Sequence, residues 1–226
     1  LQLTASEYLP RSIDRADDAA DTLGFFGYSS RATVTRRVAD LRTDLRLFAS
    51  QRLSVGAEYG RDHENGTSLS ESEFGDFPGA FTAARENRAL YAQLLGDRGR
   101  FSYTVGGRLD DNSAFGRFGT ARVGVAARVS PAITLRASAG NAFKAPSFFE
   151  NFAEGFTVGN PDLKPERGKE LELGFDASML GDRLNLEFTY YNKRTRDALV
   201  QRNVAPSVGA SEIPFFNPGE VQNSGF

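Results

Sequence analysis

Apolar and polar side chains alternate along this chain in stretches of about ten residues, and the connections between stretches are short and long in turn. The clearest pair covers residues 100–110 and 120–129. In the first, Phe101, Tyr103, Val105 and Leu109 share one parity, and Ser102, Thr104, Arg108 and Asp110 share the other. In the second, Ala121, Val123, Val125, Ala127 and Val129 alternate with Arg122, Gly124 and Arg128. Successive side chains of a strand point to opposite faces, so each stretch offers one face to hydrocarbon and one to water. About 9 to 11 tilted residues cross a bilayer as a strand, and these stretches have that length.

The same pattern predicts strands over residues 1–9, 38–48, 53–62, 87–95, 100–110, 120–129, 133–142, 169–180 and 184–194, with a last one starting near residue 216. Short connections at 49–52, 96–99, 130–132 and 181–183 carry the Gly, Asp, Ser and Pro of tight turns. Long connections are expected at 10–37, 63–86, 143–168 and 195–215, with a shorter one at 111–119. Strict alternation places all tight turns at one rim and all loops at the other, which in bacterial barrels are the periplasmic and extracellular rims. The expected fold is all-β: an antiparallel up-and-down transmembrane β-barrel, incomplete, with about ten strands of a larger barrel.

Charge fixes the phase of most strands, because Arg or Lys on the lipid face near the midplane costs about 2–4 kcal/mol. The watery interior is therefore assigned Asp40, Arg42, Asp44, Arg46, Glu58, Asp62, Arg108, Arg122, Arg128, Arg136, Glu170, Glu172, Asp176, Glu187 and Lys193. Stretch 87–95 has two competing phases, Tyr91 with Leu95 against Leu90 with Leu94. Tyr59, Phe101, Tyr103, Phe188 and Tyr190 supply interfacial aromatics, while Trp is absent from the sequence. A soluble antiparallel sandwich is the alternative, since its strands alternate too.

Composition narrows the classes. The formal net charge of −2 over 226 residues leaves no basic footprint for nucleic acid. The lack of cysteine removes disulfides, thiolate metal sites and cysteine nucleophiles. No apolar run approaches the roughly 18 residues of a membrane helix, so passage through a membrane requires a barrel. No signal peptide opens the chain at Leu1, so the expectation is a processed chain or a fragment.

One segment is more specific. Ala142-Phe143-Lys144-Ala145-Pro146 is followed by Asn160-Pro161-Asp162-Leu163-Lys164-Pro165-Glu166 and then by Glu170-Leu171-Glu172-Leu173-Gly174. The order and separation of these phrases resemble the TonB-dependent receptor barrel, and the stretch from Phe216 to Phe226, FNPGEVQNSGF, gives a weaker echo. Physically the Asn160–Glu166 phrase is turn machinery. Pro161 and Pro165 fix φ, and Asn160 and Asp162 bond nearby backbone, so a structural role is expected there rather than ligand contact.

The resemblance implies an outer-membrane active transporter of a Gram-negative bacterium that captures a scarce metal chelate, a ferric siderophore or cobalamin, and is energised through TonB. Its implied partners are outer-membrane lipid, the chelate, and TonB through an N-terminal region outside residues 1–226. The whole chain then reads as partial barrel without the plug domain, because plugged transporters have about 22 strands. No cofactor is expected. A passive porin is the alternative reading, and a barrel enzyme a third.

Candidate ligand contacts are the loop aromatics Phe25, Phe26, Tyr28, Phe74, Phe77, Phe81, Phe148, Phe149, Phe152 and Phe156. So many large apolar side chains in water-facing connections need either each other or a ligand. Asp14, Asp17, Asp18 and Asp21 are weak calcium candidates, since calcium takes several hard oxygen ligands, but they lack the EF-hand order. His63 is the only histidine, with Ser68, Ser70 and Ser72 nearby in sequence and nothing to set a catalytic geometry.

Overall fold

The alternation becomes strand, and strand formation runs well past it. The computed structural model describes residues 1–17, 26–155, 157–181, 183–201 and 215–226. Its strands are β1 (Gln2–Tyr8), β2 (Arg11–Asp17), β3 (Phe26–Phe48), β4 (Gln51–Ser72), β5 (Gly75–Arg98), β6 (Phe101–Asn112), β7 (Gly116–Ser130), β8 (Ile133–Lys144), β9 (Glu166–Met179), β10 (Leu184–Gln201) and β11 (Phe215–Gly225). One short helix, α1 (Phe148–Phe152), sits between β8 and β9. The strands form a single antiparallel sheet in chain order from β3 to β11, with β1 and β2 both on β3. Among the described residues β1 and β11 do not pair with each other, so the barrel is incomplete.

β1 and β2 are one strand interrupted. Tyr8 stands opposite Arg36 and Arg11 opposite Thr33, with no slip between them. Pro10 has no N–H to give, so the ladder pauses there, yet its carbonyl accepts from the Val34 amide at 3.1 Å. All ten expected strands are therefore present.

The expected long loops at 10–37 and 63–86 are corrected. β3, β4 and β5 have 23, 22 and 24 residues, and only 73–74 connect β4 to β5. At about 3.3 Å per residue such strands reach roughly 75 Å, far beyond a hydrocarbon core of about 30 Å. Alternation marks only the stretch that needs one apolar face. Above it the outer face turns polar and the inner one carries apolar side chains such as Tyr28, Val34 and Phe81 scattered among polar ones, so the pattern fades while the backbone ladder continues.

The two faces separate as expected. Leu3, Leu41, Ala57, Leu90 and Leu109 follow one another across β1 and β3–β6 on one face. Leu90, Leu109 and Phe101 are all more than 60% exposed there. Every substantial contact between elements joins neighbouring strands, apart from that of α1 with β5, so no second layer covers this apolar face among the described residues. The sandwich alternative is thereby removed. Leu90 and Leu94 take the apolar phase of stretch 87–95, and Tyr91 takes the polar one, where its hydroxyl donates to Asp40 at 2.9 Å.

The polar face is a ladder of paired charges. Arg108 donates to Glu58 at 2.8 Å and to Asp110 at 3.0 Å, and Asn87 donates to Asp110 at 2.7 Å. Arg136 donates to Asp176 at 2.8 Å and Glu187 at 2.9 Å. The ion pairs of Arg136 are with Asp176 and Glu187 rather than with Glu170 or Glu172. Glu172 lies opposite Ser138 and accepts from its hydroxyl at 3.0 Å. A cavity of about 510 Å³ is lined by Leu95, Arg122, Arg136, Glu172 and Thr189 from five different strands, so the sheet curls around this face.

Candidate functional site

The polar face continues past the charged ladder onto the long upper parts of β3, β4 and β5, and there it forms a smaller cavity. Tyr28 on β3, Phe81 on β5 and Phe149 on α1 line it, together with Ser12, Asp14, Glu64 and Glu154. Its volume is about 220 Å³. Phe81 is placed by Gly66, its register partner on β4, because a Cβ at Gly66 would overlap the Phe81 ring. Burial holds the Glu64 carboxyl above its ordinary range, and the positive charge of Arg85 opposes that shift.

The wall formed by α1 is folded inward by several anchors. Ser147 caps the helix with a reciprocal bond to Glu150. Pro146 is fully buried, and its carbonyl accepts from Arg85 on β5 at 2.9 Å. The Arg85 guanidinium also lies 4.5 Å from the centre of the buried Phe148 ring and 3.4 Å from Asp62. The chain after α1 rests on Gly79, where any Cβ would overlap the Glu154 carbonyl. Gly79→Val is therefore expected to lift this segment at an overpacking cost of about 1–3 kcal/mol. Faster amide exchange over residues 147–155, with the barrel ladder unchanged, would verify it.

The Asn160–Glu166 phrase closes the loop, as its turn chemistry implied. Asn160 donates its amide N–H to Glu150 O at 2.8 Å and its side-chain NH₂ to Phe215 O at 3.0 Å. Asn217, from the weaker echo, accepts from the Lys164 amide at 2.8 Å and donates to Lys164 O at 2.9 Å and Asp197 O at 2.7 Å. The two similar phrases thus clasp each other.

The candidate residues fall into distinct places. Tyr28, Phe81 and Phe149 converge on the cavity with Asp14. Phe148 is buried beneath Arg85 and packs beside Phe152, and Phe74 is 85% exposed at the tip of the β4–β5 hairpin. Phe77 lies on β5 and is half-buried. Phe25, Phe156, Asp18 and Asp21 lie outside the described residues, as do the side chains of Phe26 and Asp17. Among the described residues no group of three acidic, histidine or cysteine side chains is placed to hold a metal ion. His63 pairs in register with Thr35 and Ala84, on the face opposite to Ser68 and Ser70. Arg85, Glu64 and Gly79 were not singled out from sequence, and Asn217 was named only as part of the weaker echo. The first three sit in stretches read as loop, or at the edge of one, and Asn217 needed its distant partner to be seen.

Comparison with known proteins agrees with this architecture. The family model described as TonB dependent receptor-like, beta-barrel matches residues 2–226. The vitamin B12 transporter BtuB of Photobacterium profundum is 28% identical over 151 residues, which cover 66% of this chain and 23% of that protein. The chain thus spans about a quarter of that transporter's length. The crystal structure of the siderophore receptor PirA from Acinetobacter baumannii superposes with a TM-score of 0.64 at 15% identity, over 98% of this chain and 36% of PirA. The copper transporter OprC superposes with a TM-score of 0.67 at 14% identity, over 90% of this chain and 38% of OprC.

Proposed function

Because this chain belongs to the TonB-dependent receptor-like β-barrel family, we propose that it is the barrel section of an outer-membrane active transporter for a scarce metal chelate, energised through TonB. The observation that carries the reading is the division of one curled sheet. A bare apolar face suits hydrocarbon, and a charge-lined face ends in an aromatic cavity at the rim of the long connections. Tyr28, Phe81 and Phe149 supply one edge of the surface that captures the chelate, which is larger than the cavity itself, and the paired charges below them line its route.

The cavity's chemistry orders the ligand classes. Asp14, Glu64 and Glu154 outnumber Arg31 around it, which favours a neutral or cationic chelate over a polyanionic one. Cobalamin is therefore the first ligand to test, and the relative whose name states vitamin B12 transport points the same way. Binding of the full-length parent to cobalamin and to a ferric catecholate tests this order, with tighter binding of cobalamin expected. Uptake should vanish in cells lacking TonB. Liposomes bearing the full-length parent should show no steady open conductance, whereas a porin would leak.

The lipid assignment has its own test. Val123 is exposed on the apolar face between Val105 and Ala139, and Thr104 stands on the polar face opposite Leu95 and Gly124. Val123→Arg should cost about 2–4 kcal/mol of barrel stability, while Thr104→Arg is tolerated in a watery lumen. Denaturant unfolding of the full-length protein in vesicles measures both, and equal effects would refute the assignment.

A further inference from the structure

The apolar face is not uniform. Between β1 and β7 it carries a groove of about 630 Å³, floored by Leu3, Leu41, Ala57, Leu90 and Leu109. The small side chain of Ala57 and the absent one of Gly119 keep it open. Two residues further along each strand, about 7 Å towards the long-connection rim, the next row reads Ala5, Ala39, Tyr59, Arg88, Asp111 and Arg117. Arg88 and Arg117 both line the groove's upper end, with side chains 75% and 86% exposed.

We propose that this groove binds an anionic acyl lipid whose phosphate is not masked by a cationic headgroup, with a chain lying along Leu41, Ala57, Leu90 and Leu109 and the phosphate held by Arg88 and Arg117. The inference rests on the reading that the apolar face meets a bilayer. Apolar floor and cationic rim are spaced as an acyl chain is spaced from its headgroup. Guanidinium forks match phosphate oxygens two at a time. The donors are free to do so. Arg117 spends its Nε on Asp111 at 3.0 Å, leaving both terminal nitrogens, and Arg88 meets Glu86 only at 4.0 Å. In the row above, Arg37 is paired with Glu7 at 2.7 Å, and Arg61 stands opposite Glu86. Arginines Arg37, Arg61, Arg88 and Arg117 thus outnumber the carboxylates Glu7, Glu86 and Asp111 on this band.

The test is native mass spectrometry of the detergent-solubilised full-length receptor in mixed micelles of dioleoylphosphatidic acid and dioleoylphosphatidylcholine, which share chains and differ in headgroup. Phosphatidic acid should be the retained adduct. An arginine near an anionic lipid surface is worth roughly fivefold, so Arg88→Gln with Arg117→Gln should lower the preference about twenty-five-fold. Ala57→Phe fills the groove and should release both lipids while leaving the arginines in place. Equal retention of the two lipids by the unaltered receptor overturns the inference, as does displacement of phosphatidic acid by inorganic phosphate alone, or a receptor dimer occupying the face. Those outcomes leave the bilayer reading standing. Failure of the receptor to float with vesicles removes that reading itself, and this inference with it.

Discussion

Arg85→Ala should release the inward-folded segment around α1 and weaken ligand binding by about ten- to a hundredfold. One guanidinium makes the Pro146, Phe148 and Asp62 contacts, and its side chain is only 20% exposed. A desolvated cation–π contact is worth about 2 kcal/mol, and a hydrogen bond from a charged donor about 1.5–3 kcal/mol. Partial exposure and the loss of ordering in the freed loop reduce their sum to about 2–4 kcal/mol of docking free energy. Asp62 retains Arg36 at 3.7 Å, so its charge is not stranded and the β4–β5 ladder survives. Arg85→Lys keeps the charge but neither the planar stack nor the fork, and should recover only part of the loss.

The variant also has a pH signature. With the Arg85 charge gone, the burial that Glu64 keeps between Val34 and Ala83 is no longer opposed by it, and the Glu64 carboxyl is pushed further up. A cationic ligand that needs the Glu64 carboxylate binds better as pH rises through that pKa, and in Arg85→Ala the rise moves to higher pH. Hydrogen exchange over residues 145–155 reads the release directly. Unchanged exchange there would mean that the Ser147 cap and Gly79 hold α1 without Arg85.

How much of this was legible beforehand follows from where each signal is stored. Face assignments were readable because a sheet with one apolar and one polar face imposes a period of two on every strand. Arg108, Arg136 and Glu172 all stand on the face their parity gave them. The phase of 87–95 was not readable, because Tyr91 is as apolar as Leu90 except for the one hydroxyl that meets Asp40 from two strands away. Strand length was hidden for the opposite reason: above the belt the outer face of β3–β5 is no longer apolar, and the few apolar side chains, Tyr28, Phe77 and Phe81 among them, lie on the inner face. The aromatic candidates were legible as a class, but only register and the fold of the 143–168 connection decide that Phe81 and Phe149 line one cavity while Phe74 faces solvent.

Asn217 offers the second large effect. Its side chain satisfies three backbone groups at once, and two of them belong to Lys164 in the turn phrase. At about 1 kcal/mol per net hydrogen bond, Asn217→Ala should cost about 2–3 kcal/mol, more if Lys164 stays shielded from water. The third partner raises the stakes. Asp197 holds φ at +54° beside an irregularity in the β10–β11 register, a backbone state that persists only when its surroundings over-determine it. Without the Asn217 amide on its carbonyl, residues 196–200 are free to relax and shift β11. Asn217→Asp is the sharper variant. It keeps the acceptor for the Lys164 amide but turns both donations into carboxylate facing carbonyl, so it should be at least as damaging as alanine. Thermal unfolding with hydrogen exchange over 160–166 and 215–220 measures both variants. Wild-type behaviour of Asn217→Asp would show that the two phrases are held together by packing rather than by this amide.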